Sequence, residues 1–125
     1  MKTVTDFDSV LDDAGLRNLS SEAYDALPFG SVKLDRSNRI TLYNRAESEL
    51  ARRASADVLG KRFFEDVAPC TNNPMFRGRL EALVAGGTKS ARFDYLFLFP
   101  WGTRPVRIQL WVPDAETRWI FVLPL

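Results

Sequence analysis

Phe29-Gly30-Ser31-Val32-Lys33-Leu34-Asp35-Arg36-Ser37-Asn38-Arg39-Ile40-Thr41-Leu42-Tyr43-Asn44 is the stretch from which the architecture is read. Val32 and Leu34 alternate with Ser31 and Lys33, Asp35-Arg36-Ser37-Asn38 carries turn chemistry, and Ile40 and Leu42 alternate with Thr41 and Tyr43. A period of two on both sides of a turn predicts a β-hairpin. Asn44 then opens a helical stretch to about residue 52, with Glu47 at the third helical position, and a second short helix begins near Ser55 and stops at Gly60. Downstream, Pro74 suits the first turn of a longer helix that places Phe76, Leu80, Leu83 and Val84 on one face before Gly86-Gly87 ends it. Three strands are predicted over about 90–99, 106–112 and 117–123, with loops at 100–105 and 113–116. Strand, strand, several helices and three strands in succession imply an α+β fold. It has a five-stranded antiparallel sheet, a helical connection on one face and a cavity between the two. Residues 1–28 are polar with scattered apolar positions and end at Pro28, the character of a short helical cap with Asp6 or Ser9 and then Ser20 as N-caps. The core is expected over 29–125, in a single domain.

Composition narrows the function. The chain has 125 residues, 46% hydrophobic, 12% aromatic and 26% charged, as expected for a folded domain with a real core. Seventeen Lys and Arg against 16 Asp and Glu leave a net charge of +1, too small a field to favour nucleic acid or anionic lipid. The N-terminus lacks the pattern of a signal peptide, and no run of about 18 apolar residues occurs, so no membrane association and a cytoplasmic location are expected. A single cysteine agrees with a reducing compartment.

That cysteine, Cys70, closes the mostly apolar stretch Gly60-Lys61-Arg62-Phe63-Phe64-Glu65-Asp66-Val67-Ala68-Pro69-Cys70-Thr71, in a chain with no histidine. It can form no internal disulfide, cannot complete a metal site and has no imidazole to activate it. Inert packing or a covalent anchor remains. Read singly, its neighbours are ordinary: Cys70 as a buried structural thiol, Tyr43 as a strand aromatic, Glu47 as the N3 partner of a capping box begun by Asn44, and Arg53 as a helix-end charge.

Taken in register, these residues resemble the photoactive yellow protein family, PAS-fold blue-light receptors that carry p-coumaric acid as a cysteine thioester. The resemblance runs from about residue 27 to 122. It includes Pro28-Phe29-Gly30, Leu34-Asp35, Tyr43-Asn44, Ala46-Glu47, Arg53, Val58 to Lys61, Phe63-Phe64, Asp66 to Thr71, Phe76, Phe93, Tyr95, Trp119 and Phe121-Val122. It implies that Cys70 bonds the pigment, that Tyr43 and Glu47 hydrogen-bond its phenolate and that Arg53 shields it. Tyr95 and Phe97 on the aromatic strand are expected to touch the pigment ring. The implied function is light sensing by trans–cis isomerisation, proton transfer from a neutral Glu47 and loosening of the N-terminal cap. A phenol deprotonates near pH 10, so a buried phenolate needs strong, charge-assisted donors. Burial without a cationic partner keeps Glu47 protonated for that task.

Two departures carry expectations. Ala51 stands where the family has a threonine supporting the tyrosine hydroxyl, which is expected to shift the spectrum without abolishing binding. Trp101 stands where the family has a methionine linked to fast return, and this bulkier, stiffer member of the pocket is expected to slow recovery. The competing readings are a thiol enzyme, disfavoured because no base is available, and a non-photoactive PAS module for another ligand or for protein interaction. Haem held by histidine is excluded by composition, and the flavin-type Asn-Cys-Arg-Phe run is missing. A downstream signalling protein is the expected partner, and the chain is expected to be a monomer or weak dimer.

Overall fold

The structure is a computed structural model that describes residues 19–86 and 88–125. The cap helices expected over 1–18, with Asp6 or Ser9 as their N-caps, lie outside the described residues. In chain order the elements are α1 (Ser21–Asp25), β1 (Gly30–Leu34), β2 (Ile40–Tyr43), α2 (Arg45–Ala51), α3 (Ser55–Val58), a π-helical turn (Phe63–Val67), a 3-10 turn (Pro69–Thr71), α4 (Arg77–Ala85), β3 (Ser90–Phe99), β4 (Gly102–Asp114) and β5 (Thr117–Pro124). The strands form one antiparallel sheet in the order β2-β1-β5-β4-β3, which is the expected α+β arrangement. β5 is central, with Val32 opposite Ile120 on one side and Leu110 opposite Ile120 on the other.

Both faces of the sheet are covered, so β5 is buried continuously from Thr117 to Val122 instead of alternating. On one face Val32, Leu34, Ile108, Leu110 and Ile120 meet Val58, Phe63, Phe64, Phe76 and Leu80 from the helical connection. On the other, Trp111, Trp119 and Phe121 meet Tyr24, Leu27 and Phe29, with Leu19 at the margin. Ser20 caps α1, accepting from the Ala23 N–H at 3.1 Å. This covering explains why Ser31, expected to face outward, is wholly buried: the Tyr24 hydroxyl donates to its carbonyl at 3.0 Å.

The structure departs from the expected pattern at three places. In β2 the register slips between Lys33 and Leu34, so that Lys33 faces Leu42 but Leu34 faces Ile40 and Thr41 is the extra residue. The Thr41 hydroxyl donates to the Lys33 carbonyl at 3.2 Å. A bulge moves every later side chain to the other face, so Tyr43 turns into the core while Leu42, expected inside, is 40% exposed. Second, α4 begins at Arg77, because the Asn73 side chain accepts from the Met75 and Phe76 N–H groups and holds Pro74 in the preceding turn; Val84 is exposed. Third, β4 starts at Gly102 and passes through Pro105, where a loop was expected. The Pro105 carbonyl accepts from the Leu125 N–H at 3.1 Å just past the end of β5, and having no N–H to return the bond, the proline sits where the pairing with β5 ends.

Candidate functional site

Tyr43 and Glu47 owe their positions to one junction. The bulge in β2 aims Tyr43 inward, and Asn44 immediately after it caps α2, its Oδ1 accepting from the Glu47 N–H at 3.1 Å and from the Ser31 N–H at 2.9 Å. Asn44 Nδ2 donates to the carbonyls of Phe29 (3.0 Å) and Tyr24 (3.4 Å). A capping box would bring the Glu47 carboxyl back to the Asn44 N–H, but that N–H donates to Ser31 instead. Glu47 is therefore not a structural cap. Its side chain is buried, and Oε2 has no hydrogen-bond partner among the described residues.

The electrostatics follow from burial. Removal from water pushes the Glu47 carboxyl up to about 8. Burial also holds the Tyr43 hydroxyl well above the ordinary phenol range; the charge of Glu47 adds to this and Arg53 opposes it. At neutral pH both therefore favour their protonated forms, which can donate hydrogen bonds. Tyr43 makes no hydrogen bond to the described residues, so its hydroxyl is available.

Cys70 comes from the other wall. The π-helical turn and the 3-10 turn, started by Pro69, carry the chain along the cavity, and Cys70 is half-buried there, not sealed in the core. Its backbone is fixed: the Cys70 carbonyl accepts from the Tyr95 hydroxyl at 2.6 Å and from Asn73 Nδ2 at 3.0 Å, while that hydroxyl accepts from Asn73 at 2.7 Å. Arg53 follows Arg52, the left-handed residue that ends α2 (φ 56°), and its guanidinium donates to the Val67 carbonyl at 3.4 Å, joining the two walls.

These elements enclose a cavity of about 450 Å³ lined by Tyr43, Glu47, Ala51, Arg53, Phe63, Val67 to Cys70, Phe97, Phe99 and Pro100 among others. Tyr43, Glu47, Arg53, Cys70 and Phe97 thus share one chamber. Tyr95 stands behind Cys70, holding its carbonyl, with its ring against Phe76 and Phe97. The structure does not bring Trp101 to this cavity. It is 39% exposed, stacked on Phe99 at 4.8 Å with the Arg52 guanidinium 4.1 Å over its ring, because the chain reverses immediately after Pro100. Missed from the sequence was the wider use of Asn44, whose N-cap signal was visible but whose links to Tyr24, Phe29 and Ser31 were not. A chamber of this size with apolar walls and two free donors suits a small aromatic ligand, and the thiol can hold one covalently.

A five-stranded sheet enclosing such a chamber under its helical connection defines a PAS domain, and residues 24–123 match the family described as PAS fold. The chain is 37% identical over 110 residues to the photoactive yellow protein of Halochromatium salexigens, covering 86% of each chain. It is 41% identical over 97 residues to that of Cereibacter sphaeroides, covering 77% of this chain and 78% of the relative. The crystal structure of the photoactive yellow protein domain of the sensor histidine kinase Ppr from Rhodospirillum centenum superimposes with a TM-score of 0.82 at 40% identity, over 87% of this chain and 96% of that one. The chain belongs to the photoactive yellow protein family.

Proposed function

We propose that the protein is a blue-light photoreceptor carrying p-coumaric acid as a thioester on Cys70 Sγ. The observation that carries this reading is the pair of buried, proton-bearing side chains, Tyr43 and Glu47, lining the same chamber as the single cysteine, with Glu47 Oε2 unpaired. The residues fit the group: 450 Å³ accommodates an aromatic acyl chain, Phe63, Phe97 and Phe99 offer apolar walls, and two donors are free to meet a phenolate. Bound, the p-coumaroyl group supplies absorption of blue light and a vinyl bond that isomerises.

The chain's own residues do the rest. Tyr43 and Glu47 stabilise negative charge, Arg53 holds the cavity shut through Val67, and Tyr95 orients Cys70 through its carbonyl. Glu47 is the proton donor. Once ionised in a dry site without a cationic partner, it carries a desolvation penalty on the order of several kcal/mol. Asn44 is the route by which that penalty reaches the cap, because it bonds both the Glu47 amide and the Tyr24 carbonyl at the end of α1. Loosening of the cap presents the signal to a downstream signalling protein, from a cytoplasmic monomer or weak dimer. Among the described residues no helix is long and apolar enough to cross a membrane.

The test is to incubate apoprotein with activated p-coumarate and record its mass and visible spectrum, with Cys70→Ala as control. A cysteine-dependent adduct with yellow colour is expected. Absence of both defeats the reading and leaves a non-photoactive PAS module for another ligand or for protein interaction. In Glu47→Gln, colour is retained and the infrared signal of carboxyl deprotonation after a flash disappears; its persistence refutes Glu47 as donor.

A further inference from the structure

We infer that Gly30 is a positioning residue for Glu47: the side chain that Gly30 lacks leaves the slot in which the Glu47 carboxyl lies. An ideal Cβ on Gly30 falls 2.1 Å from Glu47 Oε2, 3.2 Å from Cδ and 3.3 Å from the Glu47 Cα. Carbon and oxygen settle at about 3.3–3.6 Å, so a methyl group here forces the carboxyl to move by more than about 1 Å. Conformation is not what demands glycine, since among the described residues the glycines with positive φ are Gly60, Gly86 and Gly102. Neither side of the contact recedes freely. Gly30 is paired with Val122 in the sheet, and the Glu47 amide is held by Asn44. What yields is the Glu47 side chain, and the oxygen that must leave is the one without a hydrogen-bond partner. Pro28-Phe29-Gly30 therefore contributes to the site from behind: Phe29 covers the far face of the sheet while Gly30 forms the floor under the carboxyl.

The consequence for light sensing rests on the photoreceptor reading, but the slot itself is tested on apoprotein. Gly30→Ala is made in the wild-type and Glu47→Ala backgrounds, and urea midpoints are compared. The loss in wild type is expected to shrink by at least half once the carboxyl is gone. Equal losses in both backgrounds overturn the inference. If Gly30→Ala fails to fold, a folded Gly30→Ala/Glu47→Ala double variant is the supporting result, and an unfolded one overturns it.

A purely structural role is separated by titrating the Glu47 carboxyl band in the infrared, with Glu47→Gln as the blank. Gly30→Ala is expected to weaken proton affinity tenfold or more as the carboxyl leaves its dry slot, and an unmoved titration overturns the inference. Wild-type apoprotein that accepts no p-coumaroyl group would remove the photoreceptor reading and leave these measurements standing.

Discussion

Asn44, buried under the start of α2, and Glu47, in the cavity wall, lie three residues apart, yet their polar groups are treated in opposite ways. Asn44 is fully buried and bonded to four backbone groups, and Tyr24 and Ser31 complete each other beside it. Glu47 is also buried, with Oε2 unpaired among the described residues, and Tyr43 lines the same chamber. A paired buried group stabilises by about 1 kcal/mol, whereas an orphan costs about 1–3 kcal/mol. The seam around Asn44 therefore holds the fold together. The cavity wall retains an unpaired carboxyl oxygen, at a cost to stability.

The sharpest way to break this comparison is Cys70→Ala. It should remove all covalent loading by activated p-coumarate, read as complete loss of the mass increase, while changing apoprotein stability by about 1 kcal/mol or less. A large stability loss would place Cys70 with the structural group. Asn44→Leu should do the reverse, orphaning the Ser31 and Glu47 amides and lowering unfolding free energy by about 2 kcal/mol or more, seen in urea denaturation.

The pH dependence of the apoprotein sharpens it further. The Glu47 value is raised in the fold, from 4.5 to about 8, so its contribution is fully present below pH 4.5 and is lost as pH rises toward 8. Stability should fall with a limiting slope of about 1.4 kcal/mol per pH unit and level off above 8. No histidine competes in that window, and Asp66 and Asp94 are lowered by their Arg62 and Arg107 partners, out of its range. Glu47→Gln should flatten the slope, and a sloping profile in the variant would mean that another group carries the titration. The smallest effect belongs to Arg52→Gln. Loss of the contact with Trp101 should cost about 0.5–1 kcal/mol in thermal or urea unfolding, and a larger loss would give that exposed pair a structural role comparable to Asn44.

Much of this was legible in the sequence. The bounds of β3 were found because Ser90 to Phe99 combines aromatic alternation with punctuation at both ends, and Asn44 was found as a cap from its place before a helical run. Tyr43 was selected through resemblance, while its own alternation pointed the wrong way. A bulge leaves no mark in periodicity, and the extra residue, Thr41, is itself a good strand former. The turns over Phe63 to Thr71 belong to neither period and could be placed only by family likeness. Trp101 was grouped with the cavity by alignment, but sequence position does not reveal that the chain reverses after Pro100 and lays the indole on Phe99, under Arg52. The slot at Gly30 was beyond reach, since it depends on how closely a helix approaches a strand.

The left-handed residue at the end of α2 has a consequence for how the chamber is walled. On a continuing helix, positions two apart point about 200° away from each other, so Ala51 and Arg53 could not both have bordered one hollow. Reversing the backbone at Arg52 lets its two neighbours face inward together and throws Arg52 itself out onto the indole. One uncommon dihedral thereby sorts two adjacent arginines, sending one to the cavity wall and one to the surface.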